Sequence, residues 1–215
     1  GGMMPGSPAA AEDYDHPCFD PLWRAAVELE LPLGFHILTS RGDGTNAIAA
    51  SGQRQGAHRG PPQNASQMLL KSIQDIIGTF IWGRVFERHP ALKVVCVEAD
   101  AGWAPHFAYR MDHGYNRHRF WLKMGDMART PSEYFYENVY MTFQDDWVAL
   151  KLVDMMNPRR LMWANDFPHS DSTWPWSQEM LAEQSKNLTA EQRRAILCDN
   201  VADLYHIDLS TLKAA

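Results

Sequence analysis

Four short apolar runs constrain the fold more than any other feature: LPLGFHI (31–37), LKVVCVE (92–98), NVYMTF (138–143) and RRLMWAN (159–165). None alternates apolar with polar residues, as a strand with one wet face would. Strands covered on both faces read this way, and they belong to parallel sheets flanked by helices.

The segments between the runs carry helix signals. Asp20-Pro21 reads as an N-cap followed by proline at the first helical position, and that helix should stop before Pro32. A long helix is expected from Ala65, with apolar residues at 69, 73, 76, 77, 80 and 81, ending at His89-Pro90. Others are expected from about Gly102 to Arg117 and from near Asp145. Thr130 with Glu133 and Thr189 with Gln192 have capping-box spacing, and a last helix should run from Asn200 to His206. The first dozen residues and the Gly-, Ser- and Gln-rich stretch 38–64 read as loops. Strands alternating with helices imply parallel βαβ units in one α/β domain spanning residues 1–215.

Three runs end on groups that do chemistry: His36, Glu98 and, just past the fourth, Asp166. The third ends at Gln144-Asp145. Parallel strands share a direction, so these side chains should converge beyond their C-terminal ends, where α/β sheets and barrels place their sites. A histidine and an aspartate from different strand ends suit a divalent metal such as zinc. The plainer alternative is a hydrogen-bonded structural histidine.

The segment WANDFPHSDSTWP (163–175) resembles the strand-eight motif of the amidohydrolase-2 family, metal-dependent TIM barrels related to aminocarboxymuconate-semialdehyde decarboxylase and γ-resorcylate decarboxylase. FDPLWRAAVELELPLGFHI resembles that family's helix and strand five, and FERHPALKVVCVEADAGWAPHFAYRMDH its strand six and following helix. The resemblance implies a (β/α)8 TIM-barrel type of fold, of which this chain carries only the C-terminal half, strands five to eight. GGMMPG would then be what remains of the end of strand four. It implies His36 and Asp166 as metal ligands, Asp166 and Glu98 as catalytic groups, and His169 and Trp163 as substrate contacts. The implied cofactor is a divalent ion, zinc first. The implied activity is hydrolysis or decarboxylation of a small carboxylated, cyclic or aromatic compound.

Two departures bear on the chemistry. The family's decarboxylases carry a histidine where this chain has Glu98, which cannot donate a proton as an imidazolium does. Glu98 could instead pair with Arg110 or another nearby arginine. The first hundred residues hold one E-x-H match, Glu87-Arg88-His89, which falls at an expected helix end before Pro90 and not at a strand end, so no strand-one ligand pair of the family's kind is seen there. Two other readings therefore stand beside the enzyme: an inactive half-barrel that self-associates, and a metal-free small-molecule binding protein on the same scaffold.

With 20 basic and 26 acidic side chains, the chain carries a net charge of −6, which argues against nucleic acid or an anionic membrane as partner. A small-molecule substrate and a homo-oligomer are the expected partners. Three widely spaced cysteines, Cys18, Cys96 and Cys198, suggest a reducing, cytoplasmic setting. GGMMPGSPAA shows neither the basic nor the apolar region of a secretory signal.

Overall fold

Each apolar run becomes a strand because apolar groups meet it from both sides. The computed structural model describes residues 1–37 and 65–211. β2 (Leu33–His36), β3 (Val94–Val97), β4 (Val139–Phe143) and β5 (Leu161–Trp163) lie in one parallel sheet. A fifth strand, β1 (Gly2–Met4), adds to the β2 edge, so the order β1-β2-β3-β4-β5 follows the chain. In register, Phe35 stands beside Cys96 and Cys96 beside Met141, which stands beside Leu161. The α/β reading with parallel strands holds. The reading of the first dozen residues as loop is corrected at β1, because a three-residue strand shows no periodicity; the strand end that the resemblance implied at GGMMPG falls at this place.

Successive residues face opposite sides of a strand. Leu33, Phe35, Val94, Cys96, Val139, Met141 and Leu161 join the main core, packed against the helices. Val95, Tyr140 and Met162 point the other way and form a second cluster with Leu204. Burial pushes the Cys96 thiol well above its ordinary pKa, which leaves it inert.

α1 (Asp20–Glu28) precedes β2, and α2 (Ala65–Trp82) and α3 (Val85–Arg88) lead to β3. Asp20 is the first residue of α1 and not its cap; its carboxylate accepts from Arg88 and lies 3.0 Å from His89 Nε2. The single long helix expected up to His89 is broken at Gly83-Arg84. A side chain on Gly83 would place its Cβ 2.1 Å from that of Asp15, and Arg84 takes the left-handed conformation with φ of 57°. The expected loop at 38–64 lies outside the described residues.

α4 (Ala104–His118) follows β3, and α5 (Pro131–Asn138) runs directly into β4. The Thr130–Glu133 capping box forms as expected, with Glu133 accepting from the Thr130 N–H at 2.7 Å. α6 (Trp147–Lys151) separates β4 from β5. After β5 come α7 (Ser177–Gln184), α8 (Ala190–Arg194), a π turn, and α9 (Asn200–Tyr205). The Thr189–Gln192 box forms at α8.

Two buried amides anchor the strands near their starts. Asn138 donates to the carbonyls of Pro90 and Leu92, and Asn200 to those of Pro158 and Leu161. With the strand starts tied to the helices and the core filled, the opposite ends are left free to carry a site. No helix among the described residues is long and apolar enough to cross a membrane.

Candidate metal centre

The C-terminal ends of β2, β3 and β5 converge. β2 ends at His36, and Glu98 follows β3 directly. Asp166 lies three residues past Trp163, the last residue of β5. His36 Nε2 is 2.8 Å from Glu98 Oε2. His169 Nδ1 is 2.7 Å from Asp166 Oδ2 and 3.7 Å from Glu98 Oε1. Glu98, Asp166 and His169 each offer one ligand atom, and these atoms all lie within 4.8 Å of one another.

The backbone turns sharply to achieve this. Glu98, Asp100 and Asp166 all adopt positive φ, at 59°, 52° and 58°. Such conformations cost about 1–3 kcal/mol each in a non-glycine residue, and they persist where the surrounding structure over-determines them. The Glu98 N–H is held at 2.8 Å by the Thr142 hydroxyl on the neighbouring strand.

The donor set fits a cation. His36 Nδ1 lies 2.6 Å from the Ile37 carbonyl, which can only accept, so Nδ1 carries the ring hydrogen. A neutral His36 then aims its Nε2 lone pair at the Glu98 carboxylate. Two acceptors at that distance need a positive charge between or beside them, from a proton or a metal ion. Among the described residues no lysine or arginine pairs with Glu98 or Asp166; their ion-pair partners are histidines. Arg110 is exposed on α4 and forms no ion pair with Glu98.

Asp100 registers the same excess of negative charge. Desolvation first, then the carboxylates of Asp146, Asp171, Asp145 and Glu98, push it up to about 6 from 3.8. Because the folded-state value is raised, the protonated group's stability contribution is full below about pH 4 and is lost as pH rises through about 6. Asp100→Asn should therefore raise the melting temperature of metal-free protein at pH 8 and leave it unchanged at pH 4. Asp100 reaches solvent, so screening holds the gain to about 1 kcal/mol or less. Equal melting curves at pH 8 would remove the repulsion argument.

Of the residues expected to bind substrate, His169 stands at the site, more than half exposed, and Trp163 is partly buried. The Trp163 ring N–H donates to the Gln144 carbonyl at 2.9 Å, tying β5 to the exit of β4. Phe167 and Trp174 are exposed and meet edge to face, 5.8 Å between centroids, on the segment that carries Asp166. Three other histidines serve locally: His16 accepts from Cys18 N, His89 contacts Asp20, and His118 accepts from Trp121. Sequence reasoning missed Thr142 and Asp146. Thr142 looked like one more strand residue, and Asp146 was hidden beside Gln144-Asp145.

Parallel strands that deliver carboxylates and an imidazole to one end define an α/β protein with a group of side chains there that could hold a metal ion. The chain belongs to the amidohydrolase family, whose Amidohydro_2 model matches residues 1–207. No curated protein matches it significantly. Among solved structures it resembles an amidohydrolase from Mycobacterium avium subsp. paratuberculosis K-10, at 23% identity and a TM-score of 0.69, covering 88% of this chain and 46% of that one. It also resembles 5-carboxyvanillate decarboxylase from Sphingomonas paucimobilis, at 19% identity and 0.70, covering 96% and 58%. A third is dihydroxybenzoic acid decarboxylase from Polaromonas sp. JS666, with bound manganese and the inhibitor 2-nitroresorcinol, at 18% and 0.62, covering 92% and 57%. These likenesses show the fold. The chain spans about half the length of the structures it matches.

Proposed function

We propose that these residues form the C-terminal part of a metal-dependent hydrolase or carboxy-lyase acting on a small carboxylated, cyclic or aromatic compound. The convergence of Glu98, Asp166 and His169, with His36 on the far side of Glu98, carries this reading. His36 and Asp166 would hold the ion, from the ends of two different strands. A bound divalent ion, zinc on this proposal, supplies Lewis acidity and neutralises developing negative charge. Asp166 then takes up or returns a proton, and His169 Nδ1, 2.7 Å away, holds that carboxylate in place. Glu98 serves as the second acid/base group. A substrate carboxylate would meet His169, and Trp163 would keep the β5 exit in register beneath it.

The manganese in the Polaromonas enzyme is a property of that protein. For this chain, a carboxylate and an imidazole nitrogen from Asp166 and His36 suit zinc and manganese alike in ligand type. Metal content by mass spectrometry on chelator-free protein, with a His36→Ala, Asp166→Ala double variant as control, tests the proposal. One ion per chain that vanishes in the variant is expected. Metal held equally by both proteins would sink the assignment.

A second reading rests on the open sheet. β1 and β5 are its two edges, each with one strand neighbour. On this proposal β1 to β5 occupy the places of barrel strands four to eight, and two copies cover each other's edges and inner faces. Unpaired edges of parallel sheets favour such pairing. Light scattering across micromolar concentrations should then give at least a dimer in free solution. A monomer throughout would discard self-association. The free cysteines support a reducing, cytoplasmic setting as part of the same proposal.

A further inference from the structure

We propose that Asp146 is a positioning residue of the site: it acts through Glu98 by locking the exit of β3 onto the exit of β4. The inference rests on the metal-centre reading for its purpose, although the contact it predicts exists without any ion.

Asp146 is buried, at 7% exposure, and its carboxylate accepts three backbone N–H groups. Oδ2 takes those of Ala101 at 2.8 Å and Gly102 at 2.7 Å. Oδ1 takes that of Ala149 at 2.9 Å, which caps α6. One side chain thus ties residues 101–102, just past Glu98, to the start of a helix that follows the neighbouring strand. The joint has no slack. A Cβ on Gly102 would come within 2.9 Å of Asp146 Oδ1 and of the Val148 side chain. Ala99 and Ala101 are fully buried, and the Trp103 ring N–H closes the turn on the Ala99 carbonyl.

This construction meets a specific need. Glu98 and Asp100 both hold left-handed backbone, which an unrestrained loop would relax. Glu98 has one other backbone clamp, the Thr142 hydroxyl. Releasing residues 101–102 lets φ at Glu98 return to the extended region. The carboxylate would then swing off His36. A capping aspartate alone would need only the Ala149 contact. The two bonds back to the Glu98 turn are what the cap does not require.

Asparagine at this position keeps the shape but offers one acceptor oxygen and sets an amide donor against a backbone donor. The test reads the ¹⁵N resonances of the His36 imidazole in metal-free protein, with Glu98→Gln as the reference for a lost carboxylate partner. Asp146→Asn should move the His36 signals at least half of the way to their Glu98→Gln positions. Asn200→Ala, which removes two buried hydrogen bonds beside the start of β5, controls for general destabilisation and should leave His36 unchanged.

If Asp146→Asn does not fold, Gly102→Ala crowds the same joint and should produce the same displacement. His36 signals that stay at parental positions in the folded variant overturn the proposal. So does an equal displacement in Asn200→Ala, or a Glu98→Gln spectrum identical to the parent. Absence of metal binding by the parent chain would count against the proposed function and leave this readout intact.

Discussion

Replacing Asp166 by asparagine should lower the affinity of the chain for zinc or manganese by at least about a hundredfold, which is about 2.7 kcal/mol of binding free energy. The amide would keep the size of the side chain and a carbonyl oxygen facing His169. It would lose the negative charge, and with it the strongest reason for a cation to enter. Changes to groups that merely orient a ligand cost about 10–100-fold in metal affinity, so removing a charged ligand should cost at least the upper end. Isothermal titration on metal-free protein reads the effect directly. The melting temperature should not fall, because the variant relieves repulsion among carboxylates that no arginine or lysine pairs among the described residues. An affinity within threefold of the parent would place the ion elsewhere. A loss of affinity accompanied by a large drop in melting temperature would mean that Asp166 holds the fold together and not the metal.

The largest effect on stability should come from Phe80→Ala, about 3–5 kcal/mol by urea unfolding. Phe80 is fully buried on α2 and sits at the centre of an aromatic cluster. Its ring centroid lies 5.2 Å from that of Trp23, 5.4 Å from Phe86, 5.5 Å from Phe35 and 6.1 Å from Tyr14. Those partners come from α1, α3, β2 and the N-terminal segment, so the void left behind cannot close by moving one side chain. The loss would take a large share of the roughly 5–15 kcal/mol typical of a domain. A change under about 1 kcal/mol would show that the cluster repacks and that α2 is not the keystone of this core.

Much of the architecture was legible because it rests on local chemistry. The short, β-branched apolar runs within 92–98 and 138–143 read as strands covered on both faces, and strands form at Val94–Val97 and Val139–Phe143. Thr130 and Thr189 cap their helices as their spacing requires. What was not legible depended on groups distant in the chain. α2 stops at Trp82, where Arg84 turns left-handed and Gly83 packs against Asp15, nearly seventy residues earlier, with no room for a side chain. Asp20 leaves its capping role because Arg88 and His89 arrive beside it. β1 pairs with the edge of β2; three residues carry no pattern of their own, and only the family resemblance pointed to a strand end at GGMMPG.

The site divides along the same line. From residue type and strand position alone, the chain specifies that His36, Glu98 and Asp166 reach one end of a parallel sheet, since strand direction dictates where their ends lie. Only the folded chain decides how they meet. The ring hydrogen of His36 is committed to the Ile37 carbonyl, Glu98 faces that imidazole, and His169 stands beside Asp166. It also decides that Trp163 turns its ring N–H to Gln144, and that Asp146 and Thr142 hold the turn at Glu98. Periodicity and capping are encoded between neighbours in the chain, whereas hydrogen-bond partners and left-handed turns are set by packing among elements that the sequence keeps tens of residues apart.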